Sequence, residues 1–173
     1  MLLDELMDHG PVLAQESWAI PSGFDAAACE AELAIIGARL LADTLPGYED
    51  GTVVPMPQDE SAATYTKKFS REDGRLDWNL PCAKVCNRIR ALGSEPGTWT
   101  TWQGTVLNIL AARPGHGPAG PPGSVSRSDG DIGISCQDSI LVVEQLQPEG
   151  GKVMDARAFA NGHPEFIGSE VVS

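Results

Sequence analysis

Positive charge is scarce in this chain: 12 Lys and Arg stand against 24 Asp and Glu, a net charge of −12. A protein of that sign draws no polyanion at long range, which excludes a generally basic nucleic-acid coat. Long hydrophobic runs are missing too, so no segment reads as a membrane span. The opening residues, MLLDELMDHG, carry early acids and no basic stretch, which argues against a secretory leader. Cytoplasmic residence with no membrane partner is the expectation. Cysteines number only 4 (Cys29, Cys82, Cys86 and Cys136), too few and too scattered for a disulfide framework. Cys82 and Cys86 lie four apart and could share a metal. No second Cys/His pair stands at ligand spacing, however, and His9, His116 and His163 are isolated. The cysteines read as small core residues, with no metal expected.

The few cations that exist are concentrated. Residues 63–92 hold seven of the 12 Lys and Arg and carry a local charge of +4, between an acidic 1–62 at −11 and an acidic 93–173 at −5. Such a strip can grip an anionic partner at short range; without one it is a solvated helix face and linker.

Along the chain, residues 10–20 alternate loosely and predict a strand after a turn at Asp8-His9-Gly10. Asp25 looks like an N-cap. After it Cys29, Leu33, Ile36, Leu40 and Thr44 recur at helical spacing, with Leu41 and Leu45 widening the stripe, which predicts a helix ending before Pro46-Gly47. One strand and one helix cannot bury each other's apolar faces. Residues 46–66 are rich in Pro and Gly and form a connector. Pro81 opens a second helix, with Cys82, Val85, Cys86, Ile89 and Leu92 on its apolar side and Lys84 and Arg88 on the other. Five short strands follow from Thr98: TWTTW, TVLNILAAR, GSVSR, DIGISC and SILVVEQL. Turns at Gln103-Gly104, Asp129-Gly130 and Gln137-Asp138, and the loop PGHGPAGPPG, separate them. That rhythm predicts a small antiparallel barrel. A last helix spans about Asp155 to Asn161.

The block PMPQDESAATYTKKFSREDGRLDW, followed by PCAKVCNRIRAL, EPGTWT and LQPEGGKVMDARAFANG, resembles the C-terminal half of methionyl-tRNA formyltransferase. Upstream, MDHGPVLAQE and GARLLADTL are similar to the last part of that family's catalytic domain. The resemblance runs in order along nearly the whole chain. Sister formyltransferases acting on amino sugars, and the hydrolase domain of formyltetrahydrofolate dehydrogenase, share parts of it.

The resemblance implies an α+β chain in three parts. Residues 1–45 would be a remnant strand and helix of an α/β formyltransferase domain, 46–78 a linker, and 79–173 an OB-like antiparallel β-barrel with flanking helices that binds tRNA. The family moves a formyl group from 10-formyltetrahydrofolate to the methionyl amino group of initiator tRNA in translation initiation. Its catalytic Asp falls on Asp8, while its Asn-x-His pair and HPS formyl-site motif match nothing in these residues. One carboxylate supplies neither oxyanion stabilisation nor a folate pocket. This chain alone is therefore expected to transfer no formyl group, to bind no folate, and to contribute weak, salt-sensitive tRNA binding. Lys67, Lys68, Arg71, Arg75, Lys84, Arg88 and Arg90 are the expected phosphate contacts. Trp99 and Trp102, three apart in a strand, face opposite sides, so at most one stacks on a base. The rival reading is a non-catalytic protein-interaction module derived from an amino-sugar formyltransferase or a formyltetrahydrofolate hydrolase. In either case the open apolar helix (Leu33, Ile36, Leu40) offers a face for self-association or for a partner.

Overall fold

The computed structural model describes residues 1–128 and 130–173 and divides into two units, Met1–Lys68 and Phe69–Ser173. The turn expected at Asp129-Gly130 involves residue 129, which lies outside the described residues.

The first unit is built on one long helix, α1 (Ala26–Glu49). Asp25 caps it as predicted, its Oδ1 accepting from the Ala28 N–H at 2.8 Å. The predicted stop before Pro46 needs correction, because the helix runs one turn past it. Proline removes a single N–H donor, and the added turn closes through the Asp50 N–H donating to the Pro46 carbonyl at 3.0 Å. The Gly47 carbonyl also accepts from the Val53 N–H at 2.7 Å and the Thr52 hydroxyl at 3.2 Å, which ties the turn down. The strand expected over 10–20 is corrected too. The Pro11 carbonyl accepts from the Leu2 N–H at 2.9 Å, and the single bridge there is Val12, which exchanges hydrogen bonds with Met56 at 2.8 and 2.9 Å. An extended segment with one bridge is not a strand, because a ladder needs a neighbour along its length. The stripe of α1 remains open: Leu33 is 51% exposed and Leu41 56%, and Thr44 alone among the stripe residues is buried.

In the second unit the five predicted strands form: β1 (Trp99–Trp102), β2 (Thr105–Pro114), β3 (Val125–Ser128), β4 (Asp131–Ser135) and β5 (Ile140–Pro148). A sixth, β6 (Met154–Asp155), was not evident in the sequence. All pair antiparallel in the order β1-β2-β5-β4-β3, with β6 on β5. Gln103 and Gly104 both take positive φ, 49° and 79°, the geometry of a two-residue hairpin turn. The sheet curls into a half-barrel, and Gly168–Val172 reaches both of its edges. Val172 exchanges hydrogen bonds with Thr101 of β1 at 2.9 and 2.8 Å. On the opposite edge, Val125 of β3 donates to the Ser169 carbonyl and accepts from the Gly168 N–H, both at 2.9 Å. Both edges are thereby partly satisfied.

Two helices cover the sheet, α2 (Cys82–Leu92) and α3 (Ala156–Gly162). Pro81 sits at the cap of α2, one residue before the first turn. The carboxylate of Asp138, from a distant turn, accepts the Cys82 N–H at 2.8 Å. The predicted apolar side of α2 is buried throughout. Asp155 caps α3, its Oδ1 accepting from the Arg157 N–H at 2.8 Å. Inward strand residues Leu107, Ile109, Ile132, Ile134, Leu141 and Leu146 are sealed from solvent, each burial being worth about 1.5–3 kcal/mol. Trp102 joins them, edge-on to Phe159 at 5.7 Å and Phe166 at 5.2 Å.

Candidate nucleic-acid interface

The stretch SREDGRLDW forms a clasp at one edge of the second unit. Asp73 Oδ2 accepts from both the N–H and the hydroxyl of Ser70 at 2.8 Å, closing a single helical turn over Arg71–Gly74. Gly74 is there because of space: a Cβ on it would lie 1.9 Å from the Gly97 carbonyl oxygen. Leu76 donates its N–H to Trp99 O at 2.9 Å and is fully buried. Trp78 fills the core and donates Nε1–H to the Thr100 hydroxyl at 3.1 Å. Most of this motif is therefore fold. The charged side chains it leaves exposed are one acid, Glu72, and two arginines, Arg71 and Arg75.

Those two converge on Trp99. The guanidinium carbons of Arg71 and Arg75 lie 5.7 and 5.5 Å from its ring centroid. The Trp99 Nε1–H donates to the Arg71 carbonyl at 3.0 Å, and Arg75 also donates to the Ser173 carbonyl. Trp99 is half-buried on the outer side of β1 while Trp102 is buried on the inner side, the division that their spacing predicts. Arg88 is differently employed. Its Nη1 donates to the carbonyls of Asp73 and Arg75, both at 3.1 Å, so it fastens α2 to the clasp. Arg90 bonds Asn87, and its Nε is enclosed without an acceptor among the described residues. Lys84 is exposed. The structure thus brings Arg71, Arg75 and Arg88 together and leaves Lys84 and Arg90 on α2. Lys67 and Lys68 are exposed at the end of the first unit. Two arginines elsewhere in the second unit are neutralised: Arg113 pairs with Asp131 at 2.6 Å and Glu144 at 3.3 Å, and Arg157 pairs with the same Asp131.

Sequence reading passed over Asn108, whose Oδ1 lies 3.5 Å from Arg71 Nη2. The available signal was one amide at an outward position of an otherwise apolar strand, TVLNILAAR.

Asp8 occupies the turn in the first unit, at a left-handed φ of 55°. Gln58 Nε2 donates to the carbonyls of Asp8 at 2.9 Å and Gly10 at 2.8 Å, holding the turn from outside. Gly10 packs so tightly that a Cβ would lie 1.8 Å from the Leu2 carbonyl oxygen. His9 is not isolated. Its Nδ1 meets Asp4 Oδ2 at 2.6 Å and its Nε2 meets Glu60 Oε1 at 2.7 Å. Hydrogen bonds to these two carboxylates raise the His9 pKa, and the bond from His9 lowers that of Asp4.

Cys82, Cys86 and Cys136 are buried, with the Cys82 and Cys86 sulfurs 4.0 Å apart. Burial first, and the neighbouring Cys82 second, push Cys86 up to about 12 and Cys136 up as well. Among the described residues, no three His, Cys, Asp or Glu side chains are grouped to hold a metal, and no helix is long and apolar enough to cross a membrane.

Known proteins match along most of this chain. It is 38% identical over 165 residues to a methionyl-tRNA formyltransferase of Roseiflexus castenholzii, covering 94% of this chain and 52% of that protein. It is 34% identical over 170 residues to a methionyl-tRNA formyltransferase of Trichlorobacter lovleyi, covering 98% and 54%. The chain thus spans about half the length of the curated relatives it matches. Among solved structures, HypX from Aquifex aeolicus in complex with tetrahydrofolic acid superposes with a TM-score of 0.71 at 23% identity, over 94% of this chain and 29% of that one. At that identity the likeness is one of fold. Residues 68–164, more than half the chain, match the model of the formyl transferase C-terminal domain, and the chain belongs to that family.

Proposed function

We propose that this chain is the RNA-holding portion of a methionyl-tRNA formyltransferase. In the whole protein, a formyl group would pass from 10-formyltetrahydrofolate to the methionyl amino group of initiator tRNA. The observation that carries the reading is the pair of exposed guanidiniums, Arg71 and Arg75, propped on Trp99 over a closed turn. Cations held in place lose little side-chain freedom when they meet a phosphate, and they position a duplex without reading its sequence. Asp8 stands where the family's catalytic carboxylate falls. The part it would play is to orient a neighbouring base and help take the ammonium proton. The net charge of −12 opposes tRNA at long range, so binding by this chain alone is weak.

Titrating whole tRNA against the chain at rising salt tests this. Arg71, Arg75 and Lys84 give a slope of log affinity on log salt of about −2.7, and Lys67 and Lys68 steepen it towards about −4.5, at about −0.9 per phosphate. Replacing Arg71, Arg75 and Lys84 by Ala flattens the slope by about 2.7 and weakens different tRNAs alike. Binding that ignores salt, or a triple variant that behaves as the parent does, overturns the reading. A second reading is favoured by the open stripe of α1, where Leu33, Leu41 and Leu45 are 42–56% exposed. It makes the first unit a protein-contact surface, met by a partner or by a second copy of the chain.

A further inference from the structure

Trp99, Asn108 and Gln147 are far apart in sequence, but the register sets them in a row: Trp99 opposite Asn108, and Asn108 opposite Gln147. Opposed residues of antiparallel strands share a face. The alternate positions, Leu107, Ile109 and Leu146, are sealed inside, so this row lies on the outer surface of β1, β2 and β5. All three side chains are half-buried. Arg71 and Arg75 close one end of the row. At the other end Gln147 Nε2 donates to the Gly151 carbonyl at 3.0 Å, fixing the turn from which exposed Lys152 follows. Each amide has one end engaged, Asn108 towards Arg71 and Gln147 with Gly151, and one end without a protein partner among the described residues. Two exposed acids border the row: Glu72 in the clasp, and Glu149 two residues beyond Gln147.

We infer that this outer face is a binding track for a single RNA strand and that Asn108 and Gln147 recognise ribose 2′-hydroxyls. The inference rests on the RNA-holding reading and goes further by naming a second surface and what it recognises. Adjacent strands lie about 4.8 Å apart, so the row extends about 10 Å, close to three steps of a stacked strand at ~3.4 Å each. Cations at the two ends take phosphates. Asn108 keeps its amide N–H donors and Gln147 its carbonyl acceptor, and the 2′-hydroxyl, which both accepts and donates and is absent from DNA, can meet either. Trp99 is a prop in this arrangement, because its N–H is used by the Arg71 carbonyl and its ring by two guanidiniums.

Fluorescence anisotropy with an unstructured RNA of about 12 nucleotides and the DNA of the same sequence tests the track, using the whole chain. RNA binds more tightly than DNA, by about fivefold for each hydroxyl hydrogen bond. Asn108→Ala with Gln147→Ala brings the two affinities within about twofold and leaves the salt slope unchanged. Arg71→Ala, Arg75→Ala and Lys152→Ala together flatten the slope by about 2, at ~0.7 per single-strand phosphate, and leave the RNA preference in place. Glu149→Gln tightens both ligands. Arg127→Ala, on β3 and bonded to Asn161 at 3.3 Å, changes neither quantity. Asn108→Val with Gln147→Val keeps strand-forming residues that neither donate nor accept, so that lost preference in a folded, unchanged-melting variant counts in favour. Equal parent affinity for RNA and DNA, or a preference that survives both amide variants, overturns the track. If tRNA binding stays salt-dependent in that case, the RNA-holding reading stands without it; if no RNA binds at low salt, both fall.

Discussion

Replacing Gly74 by Ala tests whether the clasp is held by close packing. The added methyl would lie 1.9 Å from the Gly97 carbonyl oxygen and 3.1 Å from the carbonyl carbon. Both are backbone atoms, so no side chain can swing away to make room. Gly74 is buried, its neighbour Arg75 carries a carbonyl that Arg88 grips, and Leu76 beside it is bonded to Trp99. Relief requires the turn to lift from the strand, at an overpacking cost of about 3 kcal/mol, the upper end of the usual range. For a unit of this size that corresponds to a fall in melting temperature of about 15 °C. The contrast is Gly37→Ala in α1, where nothing lies within 4 Å of the new methyl. A helix interior gains about 0.5–1 kcal/mol from that change. Near-UV circular dichroism, which follows the buried tryptophans of the second unit, reads the first variant; hydrogen exchange across α1 reads the second. A Gly74→Ala protein melting within about 3 °C of the parent would refute the packing argument.

The remaining expectations concern ionisation and access. Asp4 is held below its ordinary 3.8 by its bonds to His9 and Leu6, so its contribution is present above that value and is lost as pH falls through the lowered pKa. His9 is raised above 6.5, so its contribution is full below that value and is lost as pH rises through the raised pKa. Hydrogen exchange in residues 2–12, corrected for intrinsic rate, should be slowest between about pH 4 and 6.5. His9→Gln should flatten the profile, and a parent profile with no slowest range would count against a role for the His9 bonds to Asp4 and Glu60. Cys29 is partly exposed whereas Cys82, Cys86 and Cys136 are buried. An aromatic disulfide reagent at mildly alkaline pH should therefore modify one thiol quickly and three only on unfolding; two fast thiols would contradict the packing of the second unit's core.

The second unit was legible because short apolar strands recur between turn residues such as Gln103-Gly104. Asp25 could be read as a cap because capping is local chemistry. Failures arose where distant residues decide. Pro46 should stop a helix, but Thr52 and Val53 return to bond Gly47 and carry it on. Residues 10–20 have a strand's alternation, yet strand formation belongs to a pair, and Met56 is the partner of Val12 alone. Arg88 shares a helix face with Lys84, which spacing predicts, but spacing cannot say that its donors are spent on backbone carbonyls. The row of Trp99, Asn108 and Gln147 was invisible for another reason. The β2–β5 register shifts between Ile109 and Ala111, and no local pattern announces that irregularity.

The strap formed by Gly168–Val172 also fixes when the second unit can close. Arg75 takes the carbonyl of Ser173, a residue 98 positions later, and Thr101 waits 71 positions for Val172. Closing loops of that length comes late, after local hairpins have formed. A growing chain on its ribosome therefore carries the clasp in unfinished form while the whole barrel is being made. Throughout that interval β1 and β3 are both unstrapped, and Arg75 lacks one of its anchors. The clasp is thus among the later parts of the second unit to close.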